Sequence, residues 1–151
     1  MNNYEKYKEY RTFLKMNLND IITDLLGELK KFEGLNKIII QGYTPSFNDG
    51  DPCEHWSTAY FDNDDLSEVV EWESHNEWLG IPDDLDYDEI EEFIEQNPIN
   101  TYNKVQKTAI THMISDLETL MEEKYDTNFL ITIDLTGETP VLKKSSYDCG
   151  Y

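Results

Sequence analysis

Lys37-Ile38-Ile39-Ile40-Gln41-Gly42-Tyr43 is a short run rich in β-branched residues, and this composition predicts a buried strand. The nine residues that follow, 44–52, are Thr-Pro-Ser-Phe-Asn-Asp-Gly-Asp-Pro. The two prolines fix φ at their positions, and Asn48-Asp49-Gly50 offers positions for a positive φ. We therefore expect the chain to reverse here and to form a β-hairpin.

The return strand of this hairpin is expected at residues 54–62. Alternate side chains of a strand share a face. One face would present Trp56, Thr58 and Tyr60, and the other would present His55, Ser57, Ala59 and Phe61. Because neither face is wholly polar, both faces of the strand are expected to be covered.

Two segments outside the hairpin, residues 3–33 and 101–124, have the apolar rhythm of amphipathic helices. Gly34 ends the first, and residues 17–20 could cap a second helix, so one long helix and two shorter ones are both possible. The apolar positions of the first segment are Tyr7, Tyr10, Leu14, Leu18, Ile21, Ile22, Leu25, Leu29 and Phe32. Those of the second are Val105, Ile110, Met113, Leu117, Leu120 and Met121.

The remaining segments complete an α+β pattern. Residues 64–80 favour a helix, and Asp86 with Glu89 resembles a capping box that opens a short helix ending before Pro98. Phe129, Ile131, Ile133 and Leu135 alternate with Leu130, Thr132 and Asp134, which predicts a strand, and a turn then leads into a last strand at 139–147. We expect one domain, residues 1–151, of order α-β-β-α-α-β-β, with antiparallel hairpins and helices packed on the sheet.

Length and composition support a folded domain. The chain has 151 residues, of which 38% are hydrophobic and 13% aromatic, enough to build a core without disulfides or metal. Cys53 and Cys149 are expected to be free thiols. No apolar run is long enough to span a membrane, and the first residues lack a signal pattern.

The charge of the chain is concentrated in one stretch. Residues 38–103 contain 18 Asp or Glu and no Lys or Arg, whereas the whole chain has a net charge of −20. Such a stretch repels nucleic acid, and it attracts a basic protein surface. The alternative is a solvated acidic face that serves solubility alone.

Two resemblances bear on function. The segment 43–53, Tyr-Thr-Pro-Ser-Phe-Asn-Asp-Gly-Asp-Pro-Cys, resembles one in small uncharacterised bacteriophage and bacterial proteins, which implies no activity. The size, the charge and the lack of a catalytic signature are similar to the acidic DNA-mimic proteins that phages use against host defences. This second similarity implies a non-enzymatic inhibitor in the cytoplasm of the host cell, bound to a basic, nucleic-acid-binding surface of a defence protein.

We therefore predict a partner-binding surface within the acidic stretch. Trp72 and Trp78 are expected to be its aromatic anchors, whereas Phe61 and Phe93 fit an apolar rhythm and are expected in the core. The residues assigned to partner contact are Glu68, Glu71, Trp72, Glu73, Glu77, Trp78, Asp83, Asp84, Asp88, Glu91, Glu92 and Glu95. A homo-oligomer is also possible.

Other chemistries have weaker support. The scattered candidates for zinc are Cys53, His55, His75, His112 and Cys149, and their spacing does not match a zinc motif. Residues 62–68 provide oxygen ligands for calcium without an EF-hand frame. Cys53 and His55 would be neighbours on a strand, but no motif supplies an oxyanion hole, so we expect no catalytic residue and no cofactor. The main alternative function is a small-molecule or metal site where residues 44–53 meet the C-terminal residues 147–151.

Overall fold

The isoleucine run forms strand β1, Lys37–Tyr43, in the interior of a four-stranded antiparallel sheet of order β2-β1-β3-β4. The computed structural model describes residues 1–46, 50, 53–61, 84–86, 88, 89, 92, 96 and 102–148. Within these residues the other elements are helix α1, Asn3–Lys30, strand β2, Trp56–Phe61, helix α2, Lys104–Tyr125, strand β3, Phe129–Asp134, and strand β4, Val141–Ser146. The fold is α+β, as the sequence predicts.

The register of the sheet places the apolar residues of β1 against the helices. Ile38 lies opposite Phe61 of β2 and Ile133 of β3, and all three side chains belong to the main core. This confirms the predicted strand faces, because Phe61 is buried and Trp56, on the opposite face, is 56% exposed. Strand β2 begins two residues later than expected.

Both faces of β1 are buried, which explains why its apolar residues do not alternate with polar ones. Ile38 and Ile40 face the helices, whereas Ile39 and Gln41 lie on the other face and are each 1% exposed. A strand that is covered on both sides is expected to have a continuous apolar sequence.

Helix α1 is a single unbroken helix, so the predicted alternative of two shorter helices is wrong. The Asn2 side chain caps it by accepting a hydrogen bond from the Glu5 backbone, at 2.9 Å. Asn17 does not cap a second helix, because its Nδ2 atom donates to the Phe13 carbonyl one turn earlier, at 2.9 Å. Gly34 has a φ of 85°, a conformation that suits glycine just beyond a helix end.

The second half of α1 packs on the sheet, and the first half does not. Ile22, Leu26 and Leu29 are buried in the core. The predicted apolar face was extended too far, since Tyr7 is 54% exposed and Tyr10 is 60% exposed. A helical rhythm records which residues share a face, and it does not show where the core beneath that face ends.

Lys30 joins the end of α1 to the β3–β4 turn. Its Nζ atom donates hydrogen bonds to the backbone carbonyl of Leu135, at 2.8 Å, and to that of Gly137. These bonds satisfy two carbonyl groups of the turn and fix its position beside the helix.

Helix α2 crosses the same face of the sheet and contacts α1, β1 and β2. A capping box opens it, with the Gln106 backbone donating to Asn103 Oδ1 at 2.9 Å and the Asn103 backbone donating to Gln106 Oε1 at 3.1 Å. Its buried residues are Ile110, Ile114, Leu117, Leu120 and Met121. Val105 was wrongly assigned to the apolar face: it lies in the exposed first turn of α2 and is 80% exposed. Neither described helix is long and apolar enough to cross a membrane.

Candidate functional site

The predicted partner-binding surface is described at three of its twelve residues, Asp84, Asp88 and Glu92, and all three are exposed. The helix predicted at 64–80 and the side chain of Phe93 lie outside the described residues. The other nine predicted contact residues do so as well, namely Glu68, Glu71, Trp72, Glu73, Glu77, Trp78, Asp83, Glu91 and Glu95.

A short helical segment presents the described acids. Asp88, Glu89, Glu92 and Gln96 have helical backbone conformations. Asp86 Oδ1 accepts a hydrogen bond from the Glu89 backbone N–H at 2.9 Å, which is the N-cap interaction predicted from the sequence. Carboxylates at the start of a helix are stabilised by the helix dipole, so the fold can support a high density of acids here.

The density of negative charge in this segment changes the ionisation of Glu89. The negative charge of Asp86 is the largest cause of a raised pKa at Glu89, and partial loss of hydration, a hydrogen bond to Asp86 and the charges of Asp84 and Glu92 raise it further. A cation placed near these groups would relieve the repulsion. The ion pairs found between described side chains, Lys31 with Glu28 and His55 with Glu122, do not involve this segment.

A second cluster of polar side chains lies where α2 passes over β2. We call it the polar seam, and its residues are Thr44, His55, Ser57, Glu118, Glu122 and Thr127. The Ser57 hydroxyl donates to Glu118 Oε2, and His55 Nε2 lies 3.9 Å from Glu122 Oε2. His55 and Ser57 are two residues apart in an extended chain, a span of about 6.6 Å, and Glu118 and Glu122 are four residues apart on α2, a span of about 6 Å. Because the two spans are similar, Ser57 can face Glu118 while His55 faces Glu122.

His55 is an enclosed ionisable group of the seam, with a side chain that is 16% exposed. Its Nδ1 atom is hydrogen-bonded to Thr127 Oγ1 at 2.8 Å, and that hydroxyl is hydrogen-bonded to Thr44 Oγ1 at 2.7 Å. The imidazole also lies against the ring of Phe129, with ring centroids 5.9 Å apart. These contacts fix the orientation of the ring.

The turn between α2 and β3 brings Thr127 to this position. Asp126 and Asn128 have φ values of 67° and 59°, and these two left-handed residues reverse the chain after α2. Asn128 Oδ1 then accepts a hydrogen bond from the Thr44 backbone N–H at 3.1 Å. The sequence analysis missed Thr127 and both glutamates. The signals available were the four-residue spacing of Glu118 and Glu122 and the tolerance of Asp and Asn for positive φ.

The alternative site predicted near the C-terminus is described only in part. Tyr43, at the end of β1, contacts Tyr147 with ring centroids 5.9 Å apart, and the Tyr147 backbone donates to the Asn128 carbonyl at 3.0 Å. Tyr43 is the residue before the loop 44–53, so these contacts place the end of β1 beside Tyr147. Residues 47–49, 51, 52 and 149–151 of that predicted pocket lie outside the described residues.

The predicted strand geometry for Cys53 and His55 is wrong. Both residues precede β2, and the imidazole of His55 contacts Thr127 and Glu122. Cys53 is exposed and has a free thiol. Among the described residues no group of three or more His, Cys, Asp or Glu side chains is arranged to hold a metal ion, and His112 is exposed on α2. His75, Cys149 and the calcium candidate 62–68 lie outside those residues.

The seam offers an imidazole, two carboxylates and three hydroxyl groups, which can bind a polar ligand through hydrogen bonds. The acidic segment offers exposed carboxylates, which can bind cationic side chains. Comparison of the chain with models of protein families gives no match, and comparison with curated proteins and with solved structures gives none either.

Proposed function

We propose that this chain is a non-enzymatic acidic binding protein whose surface in the stretch 38–103 occupies a basic site on a protein partner. One observation supports this most directly: the described acids at 84–92 are exposed and so close together that the pKa of Glu89 is raised. Mutual repulsion between carboxylates at one place opposes folding. A partner with clustered Lys and Arg side chains would offset that repulsion on binding.

The natural ligand of such a partner would be a nucleic acid. Duplex DNA has one negative charge per roughly 1.7 Å of its axis, so 18 carboxylates match about nine base pairs, or roughly 30 Å of duplex. A domain of this length is roughly 30 to 40 Å across. The acidic stretch thus has enough charge to imitate a DNA segment of its own size, and a phage protein that inhibits a host defence enzyme is the biological setting we propose.

Charge reversal provides the test. The variant Asp84→Lys/Asp88→Lys/Glu92→Lys is compared with a control that changes the net charge equally at exposed acids of α1 and α2, Asp20→Lys/Asp24→Lys/Asp116→Lys. Tagged proteins are incubated with host lysate at about 0.05 M and about 0.5 M salt, and the captured proteins are identified by mass spectrometry. We expect capture at low salt to be lost in the first variant and kept in the control. Equal capture by the two variants would contradict the proposal.

Competition tests the mimicry itself. A captured partner is incubated with a labelled DNA duplex, and the acidic protein is added in increasing amounts. Displacement of the duplex by the natural chain, but not by the Asp84→Lys/Asp88→Lys/Glu92→Lys variant, is the expected result. A ternary complex of partner, duplex and acidic protein would show that the acidic surface binds elsewhere.

The polar seam supports a second candidate function, the binding of a small polar molecule. The specific observation is His55, whose enclosed ring is held by Thr127 with its Nε2 atom directed toward Glu122. A thermal-shift screen with nucleotides and other polar metabolites would detect such a ligand, because binding to the folded state raises the melting temperature. The shift should disappear in a His55→Ala variant. A screen without any shift at millimolar ligand would remove this candidate.

A further inference from the structure

The first half of α1 is a helix without a tertiary partner among the described residues. Residues 1–13 are all exposed, and the first α1 side chain that packs against the core is Leu14. Large apolar side chains recur there at every third position, with exposures from 54% to 79%: Met1, Tyr4, Tyr7, Tyr10, Phe13 and Met16. Exposed aromatic side chains at this density are typical of interfaces.

The charge of this segment is opposite to that of the rest of the chain. Residues 1–16 contain Lys6, Lys8, Arg11 and Lys15 but only Glu5 and Glu9, so their net charge is +2 in a chain of net charge −20. The first half of α1 therefore combines aromatic surface with positive charge, and it is suited to an acidic protein surface.

One face of α1 changes its character along the helix. Residues seven apart lie on nearly the same face, because two turns take 7.2 residues. Two such columns run along the helix, Tyr4-Arg11-Leu18-Leu25 and Lys8-Lys15-Ile22-Leu29. In the second half of α1 these columns are apolar and pack in or against the core. In the first half all four of their residues are exposed, and three of them, Lys8, Arg11 and Lys15, are basic. The face that the core covers therefore continues as an uncovered face that is mainly basic.

Among the described residues, Lys8 and Arg11 are found in contact with tyrosine rings of α1 itself. Lys8 Nζ lies 4.9 Å from the centre of the Tyr4 ring, and the Arg11 guanidinium lies 6.0 Å from that of Tyr7. Such exposed contacts stabilise a helix only weakly. A helical extension with so little support gains much by packing against another surface.

We propose that the first half of α1 docks on the acidic helical segment around Asp88 and Glu92 of a second copy of this chain. Arg11 and Lys15 are four residues apart on α1 and therefore lie about 6 Å apart along its axis. Asp88 and Glu92 are also four residues apart in sequence, and both have a helical backbone conformation. The two cations can thus meet the two carboxylates, and Tyr4, in the same column as Arg11, and Tyr7 add apolar contact.

A symmetric exchange satisfies both copies. Each molecule contributes one basic helix end and one acidic segment, so a twofold dimer forms two identical contacts and closes without leaving a free end. Glu92, one of the carboxylates that raise the pKa of Glu89, would gain a nearby cation. The dimer uses the same acidic segment as the proposed function, but neither depends on the other, since partner capture and self-association are measured separately.

Long-range repulsion between two copies of net charge −20 opposes this dimer. At about 0.15 M salt the screening length is about 8 Å, which weakens repulsion across the molecule while contact pairs still attract. At about 1 M salt it is about 3 Å, and the contact pairs are screened as well. We therefore expect dimerisation at the lower of these two salt concentrations and a weaker dimer at the higher one.

Sedimentation velocity of the full chain over a range of concentrations tests the proposal. The variant Arg11→Glu/Lys15→Glu should weaken the dimer at least about tenfold, because two attractive contacts become repulsive in each of two interfaces. The matched control is Lys104→Glu/Lys143→Glu, which changes the same charge at exposed lysines of α2 and β4 and should dimerise more strongly than the first variant. Combining Arg11→Glu/Lys15→Glu with Asp88→Lys/Glu92→Lys in one chain should restore the dimer.

Three results would overturn the proposal. The natural chain could sediment as a monomer at every concentration at about 0.15 M salt. The two double reversals could weaken the dimer equally, which would indicate an effect of net charge alone. The combined variant could fail to recover association, which would show that α1 docks on some other surface. Circular dichroism of each variant confirms that the helices are intact, since all the substituted side chains are exposed.

Discussion

Gly42 is the residue at which the packing of the sheet is least tolerant of change. A Cβ atom at this position would lie 2.3 Å from Phe129 Cζ and 2.7 Å from both Cε atoms. Because the ring is buried and cannot move aside, we expect Gly42→Ala to destabilise the fold by about 1 to 3 kcal/mol. Urea unfolding measures the loss. The control is Gly27→Ala, where a Cβ meets no atom within 4 Å and helix propensity favours alanine by about 0.5 to 1 kcal/mol. Equal effects of the two substitutions would show that the ring does not fill this space.

Glu89 makes stability depend on pH in a direction opposite to that of a paired carboxylate. Its pKa is raised above the ordinary 4.5, chiefly by Asp86, so folding favours the protonated form. The contribution to stability is complete below pH 4.5 and is lost as pH rises through the raised pKa. We therefore expect Glu89→Gln to be more stable than the natural chain at neutral pH and to lose this advantage in acid. Unfolding midpoints across pH measure the difference, and a constant difference between the two chains at every pH would contradict this expectation.

The sequence predicts the burial of a single side chain correctly where buried and exposed residues alternate along a strand. Phe61 and Phe129 were placed on the buried faces of their strands because alternate residues of a strand share a side. Thr127 and His55 are 72 residues apart in sequence, and their hydrogen bond depends on how a turn and an edge strand meet. No local sequence pattern predicts this long-range contact.

At the scale of elements, α1 consists of a half that holds the fold together and a half that does not. Leu29 is fully buried and Tyr7 is 54% exposed. We expect Leu29→Ala to cost about 2 to 5 kcal/mol, because it leaves a cavity in the core. Tyr7→Ala should change stability by less than about 0.5 kcal/mol in dilute protein, where copies do not associate. Chemical unfolding of both variants checks this, and a large loss for Tyr7→Ala would mean that the first half of α1 has an intramolecular partner.

The order of the strands is the part of the architecture that sequence patterns did not give. Each hairpin was predicted from two neighbouring strands and a turn. The joining of the hairpins through β1 and β3 pairs residues such as Ile40 and Ile131, which are separated by most of the chain. An alternating pattern predicts which side chains of a strand are buried, but it does not predict which other strand is its neighbour in the sheet.

At the scale of the whole molecule, net charge limits stability. A chain of net charge −20 repels itself when folded, and salt screens that repulsion. We expect the melting temperature to rise between about 0.01 M and about 1 M sodium chloride, over which the screening length falls from about 30 Å to about 3 Å. The Asp84→Lys/Asp88→Lys/Glu92→Lys variant should show a smaller rise. A melting temperature that does not change with salt would mean that the acids are already neutralised in the fold.

The ring contact between Phe61 and Tyr102 has a consequence for how this protein can evolve. Their centroids are 6.3 Å apart, so the two ends of the 40-residue segment between them lie close together beside the core. Closing a flexible segment between fixed ends costs only about 0.6 kcal/mol more each time its length doubles. Segments of differing length could therefore join Phe61 to Tyr102 at little cost in free energy, and related sequences with a shorter or longer segment between these two residues are to be expected.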